Sequence, residues 1–109
     1  MKVKIIPSEE FDRHFRRLAK KYRSLPEDYL AFSKSLKEHP MQGDDLGGGV
    51  RKVRMAIASK HKGKSGGARV LTLNVLVSNT DNITLLTIYD KGEIENVTDG
   101  YIKWLLEQV

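Results

Sequence analysis

The chain has 109 residues, no cysteine, and 19 Lys and Arg against 14 Asp and Glu, a formal net charge of +5. That length accommodates one domain, residues 1–109, with a core of its own. The lack of cysteine excludes a disulfide framework and any thiolate metal site. Hydrophobic residues at 39% and charged residues at 30% exclude disorder, and no stretch approaches the roughly 20 apolar residues of a membrane span. The first apolar run is too short for a secretory signal, so a cytoplasmic location is expected. A pI near 9.5 directs attention to nucleic acid or an acidic protein as the partner.

Lys2–Ile6 alternates and is stopped by Pro7, which predicts a first strand. Ser8 is placed to cap a helix with Glu9 and Glu10 in its first turn, and Phe11, Phe15, Leu18 and Tyr22 recur on one face. Arg13, Arg16, Arg17, Lys20, Lys21 and Arg23 occupy the other faces, where a solvated surface is the ordinary outcome. Ser24-Leu25-Pro26-Glu27 reads as a capping box that restarts the helix. Tyr29, Phe32 and Leu36 trace its core side, and His39-Pro40 ends it. Met41–Gly49 reads as loop, and its three consecutive glycines are not followed by the Gly-Lys-Ser/Thr of a phosphate loop.

Val50–Ala58 is expected to be a strand, and Ser59–Gly67 a polar loop. Ala68–Ser78 is the clearest strand, with Leu71, Leu73, Val75 and Val77 on one face and Thr72 and Asn74 on the other. Asn79–Asn82 has turn chemistry, and Ile83–Tyr89 returns as the hairpin partner. Thr98 can cap a last helix whose apolar side is Ile102, Leu105 and Val109. The expected fold is α+β, in the order β-α-α-β-β-β-α. A small antiparallel sheet with a mixed edge carries the N-terminal α-hairpin on one face and leaves the other open.

Charge is concentrated between Gly47 and Val70, which hold Arg51, Lys52, Arg54, Lys60, Lys62, Lys64 and Arg69 and no acid. Elsewhere acids slightly outnumber bases, so the whole positive excess lies in this segment. Like charges held this close repel unless they stay hydrated or meet a polyanion. One reaction such a surface can serve is RNA cleavage by the neighbouring 2′-hydroxyl. That reaction needs a base for the hydroxyl, cations for the phosphorane and an acid for the leaving oxygen. Arg69, at the start of the clearest strand, has the planar fork suited to phosphate. Tyr89 and Lys91 end the strand expected to pair with it, and His61 is the one imidazole in the basic loop, a candidate base. The structural alternatives are a pairing of Arg69 with Asp90 or Glu93 and an ordinary strand role for Tyr89. His14, His39 and His61 sit on unrelated elements, so no metal site is expected and no cofactor is called for.

GGGVRKVRMA, KGKSGGARV and LLTIYDKGEIENVT together resemble the RelE/ParE superfamily of toxins from bacterial toxin–antitoxin modules, in particular its RelE- and HigB-like branch. The likeness in element order spans nearly the whole chain, and its specific part runs from Gly48 to Thr98. The resemblance implies a metal-independent endoribonuclease that enters the ribosomal A site and cleaves the translated mRNA. It also implies a cognate antitoxin that neutralises the toxin, with operator DNA reached only through that complex. By position, Arg69 matches the family's phosphate-contacting arginine, Lys91 its basic residue after the last strand, and Arg51 and Arg54 its basic strand. Met55 and Ile57 stand where the best-known members have paired lysines, and Val97 lies near the place of their C-terminal tyrosine. Tyr89 or Tyr101 would then take the tyrosine's part. A ParE-like inhibitor of DNA gyrase and a non-catalytic RNA-binding module are the other readings open at this point.

Overall fold

The computed structural model describes residues 2–60 and 66–109. Its elements are β1 (Lys2–Pro7), α1 (Glu9–Lys21), α2 (Leu25–Glu38), β2 (Asp44–Gly47), β3 (Val50–Met55), β4 (Ala68–Val77), β5 (Thr80–Asp90) and α3 (Asp99–Glu107). The five strands lie in the order β1-β5-β4-β3-β2. β1 runs parallel to β5, and the other neighbours are antiparallel. This is the expected α+β architecture with one added strand. The segment read as loop after α2 folds back on β3 because Gly47, Gly48 and Gly49 all take positive φ, which glycine alone adopts without strain.

α1 and α2 cover one face of the sheet. Phe11, Leu18, Leu25, Phe32 and Leu36 pack there against Val53, Met55, Val70, Leu85 and Ile88. Ser8 caps α1 as its position predicts, accepting the Phe11 N–H at 3.1 Å, and it also donates to the Leu86 carbonyl at 3.0 Å. Ser24 does not form the expected capping box. Its backbone is already helical, and its hydroxyl donates to Asp28 Oδ2 at 2.7 Å and accepts the Ser59 N–H at 2.9 Å. Ala58 N–H donates to the same Asp28 oxygen at 3.1 Å, so the start of α2 grips the short 3-10 turn at Ala58–Lys60 that follows β3. That tertiary use of the hydroxyl displaced the local cap.

The hairpin turn is tighter than its composition suggests. Ser78 and Asn79 both have positive φ (48° and 63°) and Val77 pairs with Thr80, which makes a two-residue turn matched to strand twist. β5 therefore begins at Thr80, three residues earlier than expected. Farther along, the β4–β5 register slips between Leu71–Thr87 and Thr72–Leu85, leaving Leu86 as the extra residue of a bulge. The bulge lets Leu86 join Val50, Leu71, Tyr89 and Leu105 in a second, smaller core on the other face, under α3. That face is thus not open throughout, as the sequence reading expects, but half covered. Thr98 caps α3 by accepting the Tyr101 N–H at 3.1 Å. Leu105 is its buried residue, Ile102 and Leu106 flank it, and Val109 is exposed.

Candidate nucleic-acid interface

Strand alternation and register decide which basic side chains meet. Arg54 of β3 pairs with Arg69 of β4, which pairs with Tyr89 of β5, so the three form one row across the α3 face of the sheet. Lys52 stands two residues from Arg54 on that face, in the next row beside Leu71 and Thr87. Cross-strand partners have Cβ atoms about 5 Å apart, and like charges directly opposite are destabilising. Two guanidinium groups on adjacent strands suit an anion that both can contact.

The row opens on a basin of about 440 Å³ lined by Lys52, Arg54, Arg69, Gly43 and Asp44. Two close backbone approaches shape it. A Cβ on Gly43, which has φ +91°, would run into the Lys52 carbonyl oxygen, and a Cβ on Gly67 would run into that of Met55. Both glycines thus press their segments onto β3, and Gly67 sets where β4, and with it Arg69, begins. Arg69 is only 6% exposed and donates from Nη1 to the Ala68 carbonyl at 3.3 Å. A guanidinium this well seated loses little freedom when it binds.

Tyr89 is 4% exposed, and its enclosed hydroxyl makes no hydrogen bond among the described residues. Burial raises its pKa and the Arg69 charge pulls the other way, with a net upward shift. At neutral pH it is a phenol that keeps its proton, fit to donate a hydrogen bond. It also lines an adjoining groove of about 420 Å³ formed with Val50, Lys52, Val97, Ile102 and Lys103. Val97, near the place of the family's C-terminal tyrosine, is part of that apolar wall.

Other sequence candidates lie elsewhere. Arg51 points to the opposite face from Lys52 and Arg54 and donates to the Gln42 and Gly43 carbonyls (3.1 and 2.9 Å), holding the lead into β2. Lys60 is bound at 2.6 Å to Asp90. Lys91 donates from Nζ to the Glu95 carbonyl at 2.9 Å and shapes the turn after β5. His61, Lys62 and Lys64 lie outside the described residues.

The carboxylates weighed as partners of Arg69 are engaged elsewhere. Asp90 projects to the helical-hairpin face, where it accepts from Lys60 Nζ (2.6 Å), Tyr22 Oη (2.6 Å) and the Gly92 N–H (2.8 Å). Burial alone would raise its pKa, yet Lys60, Tyr22 and Gly92 together hold it down at about 2. Glu93 takes Arg17 at 2.8 Å and Lys21 at 3.2 Å, so part of the basic face of α1 is paired rather than merely solvated.

One network escaped the sequence reading. Tyr101 Oη donates to Glu10 Oε2 at 2.7 Å and lies 3.0 Å from Thr87 Oγ1, while Glu10 also receives Arg13 at 2.6 Å. Burial and then the Glu10 bond push the Tyr101 pKa up to about 12. Glu10 and Arg13 at helical spacing were the only local hint, because Tyr101 lies 91 residues away. That hydroxyl fastens α3 to α1, which leaves Tyr89 as the tyrosine beside the arginines.

Among the described residues no group of three or more His, Cys, Asp or Glu is placed to hold a metal ion, and no helix is long and apolar enough to cross a membrane. Residues 10–108 match the family model described as the RelE toxin of the RelE / RelB toxin–antitoxin system.

Proposed function

The chain belongs to the RelE family of toxins from toxin–antitoxin systems, and from that premise we propose that it is an endoribonuclease which cleaves mRNA on the translating ribosome. The observation that carries the reading is the Arg54–Arg69–Tyr89 row, in which the two arginines line a basin and the protonated phenol stands next to Arg69 in the sheet. In the reaction the 2′-hydroxyl gives up its proton and its oxygen bonds the adjacent phosphorus. The bond from phosphorus to the 5′-oxygen then breaks, and that oxygen takes up a proton. Arg69 and Arg54 bind the non-bridging oxygens, whose charge grows in the transition state. Tyr89 donates a hydrogen bond toward the same phosphate, and Lys52 holds the neighbouring one. His61 is the base, and Lys91, just beyond β5, adds positive charge at the strand end. All of these groups belong to the protein, and the scheme needs no metal.

The partners of this reading are the ribosome with its mRNA and a cognate antitoxin, all met in the cytoplasm. Operator DNA is reached only through the antitoxin complex. The reading is tested by incubating the protein with translating ribosomes and mapping the new mRNA 5′ ends, with Arg69→Ala and a ribosome-free reaction alongside. Cuts at A-site codons that require both the ribosome and Arg69 are expected. Intact mRNA with well-folded protein would instead favour gyrase inhibition, which a supercoiling assay would then reveal.

A further inference from the structure

The groove beside the basin takes no part in the phosphate chemistry. Its volume of about 420 Å³ is at the small end of ligand sites, a fit to one flat heterocycle rather than to a helix or a strand. Val50, Val97, Ile102 and Leu106 give it apolar walls. Lys52 lines both hollows, so groove and basin adjoin. Tyr89, the cross-strand neighbour of Arg69, lines the groove as well. An RNA phosphate held by Arg54 and Arg69 therefore brings its own nucleoside to the mouth of the groove.

The rim is polar and carries both signs. Asp99 opens α3, and Lys103 follows about one turn later on the same side of the helix. Both side chains are exposed, and neither makes a hydrogen bond or an ion pair with another described residue. A carboxylate has two acceptor oxygens and no donor, whereas an ammonium has donors only.

We propose that this groove holds a nucleobase next to the cleaved bond, and that Asp99 and Lys103 select guanine there. The inference rests on the nuclease reading only in taking RNA as the ligand of the arginines. Unpaired bases are read by packing their faces on apolar and aromatic side chains and by hydrogen bonds to their edges. The walls of the groove supply the first and its rim the second. Guanine alone presents two adjacent donors on its Watson–Crick edge, the ring N–H and the amino group, beside a carbonyl oxygen. The Asp99 carboxylate accepts from both donors, and Lys103 Nζ donates to the oxygen. Adenine, cytosine and uracil each bring one nitrogen donor to that edge, so each leaves a carboxylate oxygen without a partner on the base. A two-point contact of this kind discriminates about tenfold.

Fluorescence anisotropy with 2′-O-methyl tetranucleotides, which lack the attacking hydroxyl and stay uncut, reads the groove without cleavage. The one carrying a single guanine among uracils is expected to bind about tenfold tighter than those with adenine, cytosine or uracil in that place. Asp99→Asn keeps the size of the side chain and gives up one acceptor. It should level the four affinities with an unchanged circular dichroism spectrum. Among cuts mapped on translating ribosomes, guanine should flank the break, and Asp99→Asn should remove that bias. Equal affinities for the four tetranucleotides, or cuts without a flanking guanine, would overturn the proposal. So would a guanine preference that survives Asp99→Asn while all four affinities rise together, the mark of a carboxylate that only repels RNA. A guanine preference in binding with no cleavage at all would overturn the nuclease reading and support the groove.

Discussion

Tyr89 and Asp90 are neighbours in sequence and face opposite sides of the same sheet, and their surroundings could hardly differ more. Asp90 is closed in by Lys60, Tyr22 and the Gly92 N–H, with Lys21 at 3.5 Å, so its charge is fully answered. On the other side Tyr89 stands beside Arg69 and Arg54, and among the described residues Asp44 is the one acid lining the basin. The first arrangement fastens the ends of α1, β3 and β5 together. The second sets like charges next to each other, an arrangement that suits a phosphate. Charge alone did not distinguish the two, since Lys60 and Arg69 come from one basic segment. The carboxylate each face supplies did.

The contrast can be broken from either side. The largest effect is expected from Asp90→Ala, which strands Lys60 with a side chain only 10% exposed. Chemical denaturation should show a loss of about 3 kcal/mol, the usual consequence of removing one member of a buried ion pair. Arg69→Ala should do the reverse. Its denaturation midpoint should move little, while mRNA cleavage falls about 100-fold, the scale of a lost transition-state donor. Arg69→Lys should restore only part of that rate, because a point charge lacks the fork.

Acid comes next in size. The Asp90 pKa is lowered from 3.8 to about 2, so its contribution is complete above pH 3.8 and is lost as the pH falls toward 2. Thermal unfolding across that window should show about 2 kcal/mol less stability in the wild type, and a much flatter dependence in Asp90→Asn. The smallest effect belongs to Tyr89→Phe. The buried hydroxyl has no partner to lose, so stability should hold or rise slightly. Cleavage should drop about tenfold if the phenol donates to the phosphate. An unchanged rate would assign Tyr89 to the core under α3.

Much of this was legible beforehand, and where it was not the reason is physical. Ser8 and Thr98 are true caps because their hydroxyl oxygens accept the local N–H, the distant bond of Ser8 to the Leu86 carbonyl using its proton instead. Ser24 carries the same signal, but Ser59, 35 residues on, binds it instead. Arg69 was visible as the cation at the head of the best strand. Its place beside Arg54 and Tyr89 depends on the close approach of Gly67 just before β4 and on the register of both neighbours, which no local pattern specifies. The bulge at Leu86 shows the same limit: without it, one more residue would shift and the second core would lose a member. Arg51 differs in kind, because period-two alternation already separates it from Lys52 and Arg54.

β1 is the first strand described, yet its partner in the sheet is β5, with Lys2 beside Thr80 and Pro7 beside Leu85. During synthesis β1 must wait until the last strand has emerged, and contacts so far apart in sequence form late. The row at the basin waits equally, because Tyr89 belongs to that same strand. A nascent chain that has not yet reached β5 therefore has neither a finished sheet nor an assembled phosphate site, and whatever activity the fold confers waits for that strand.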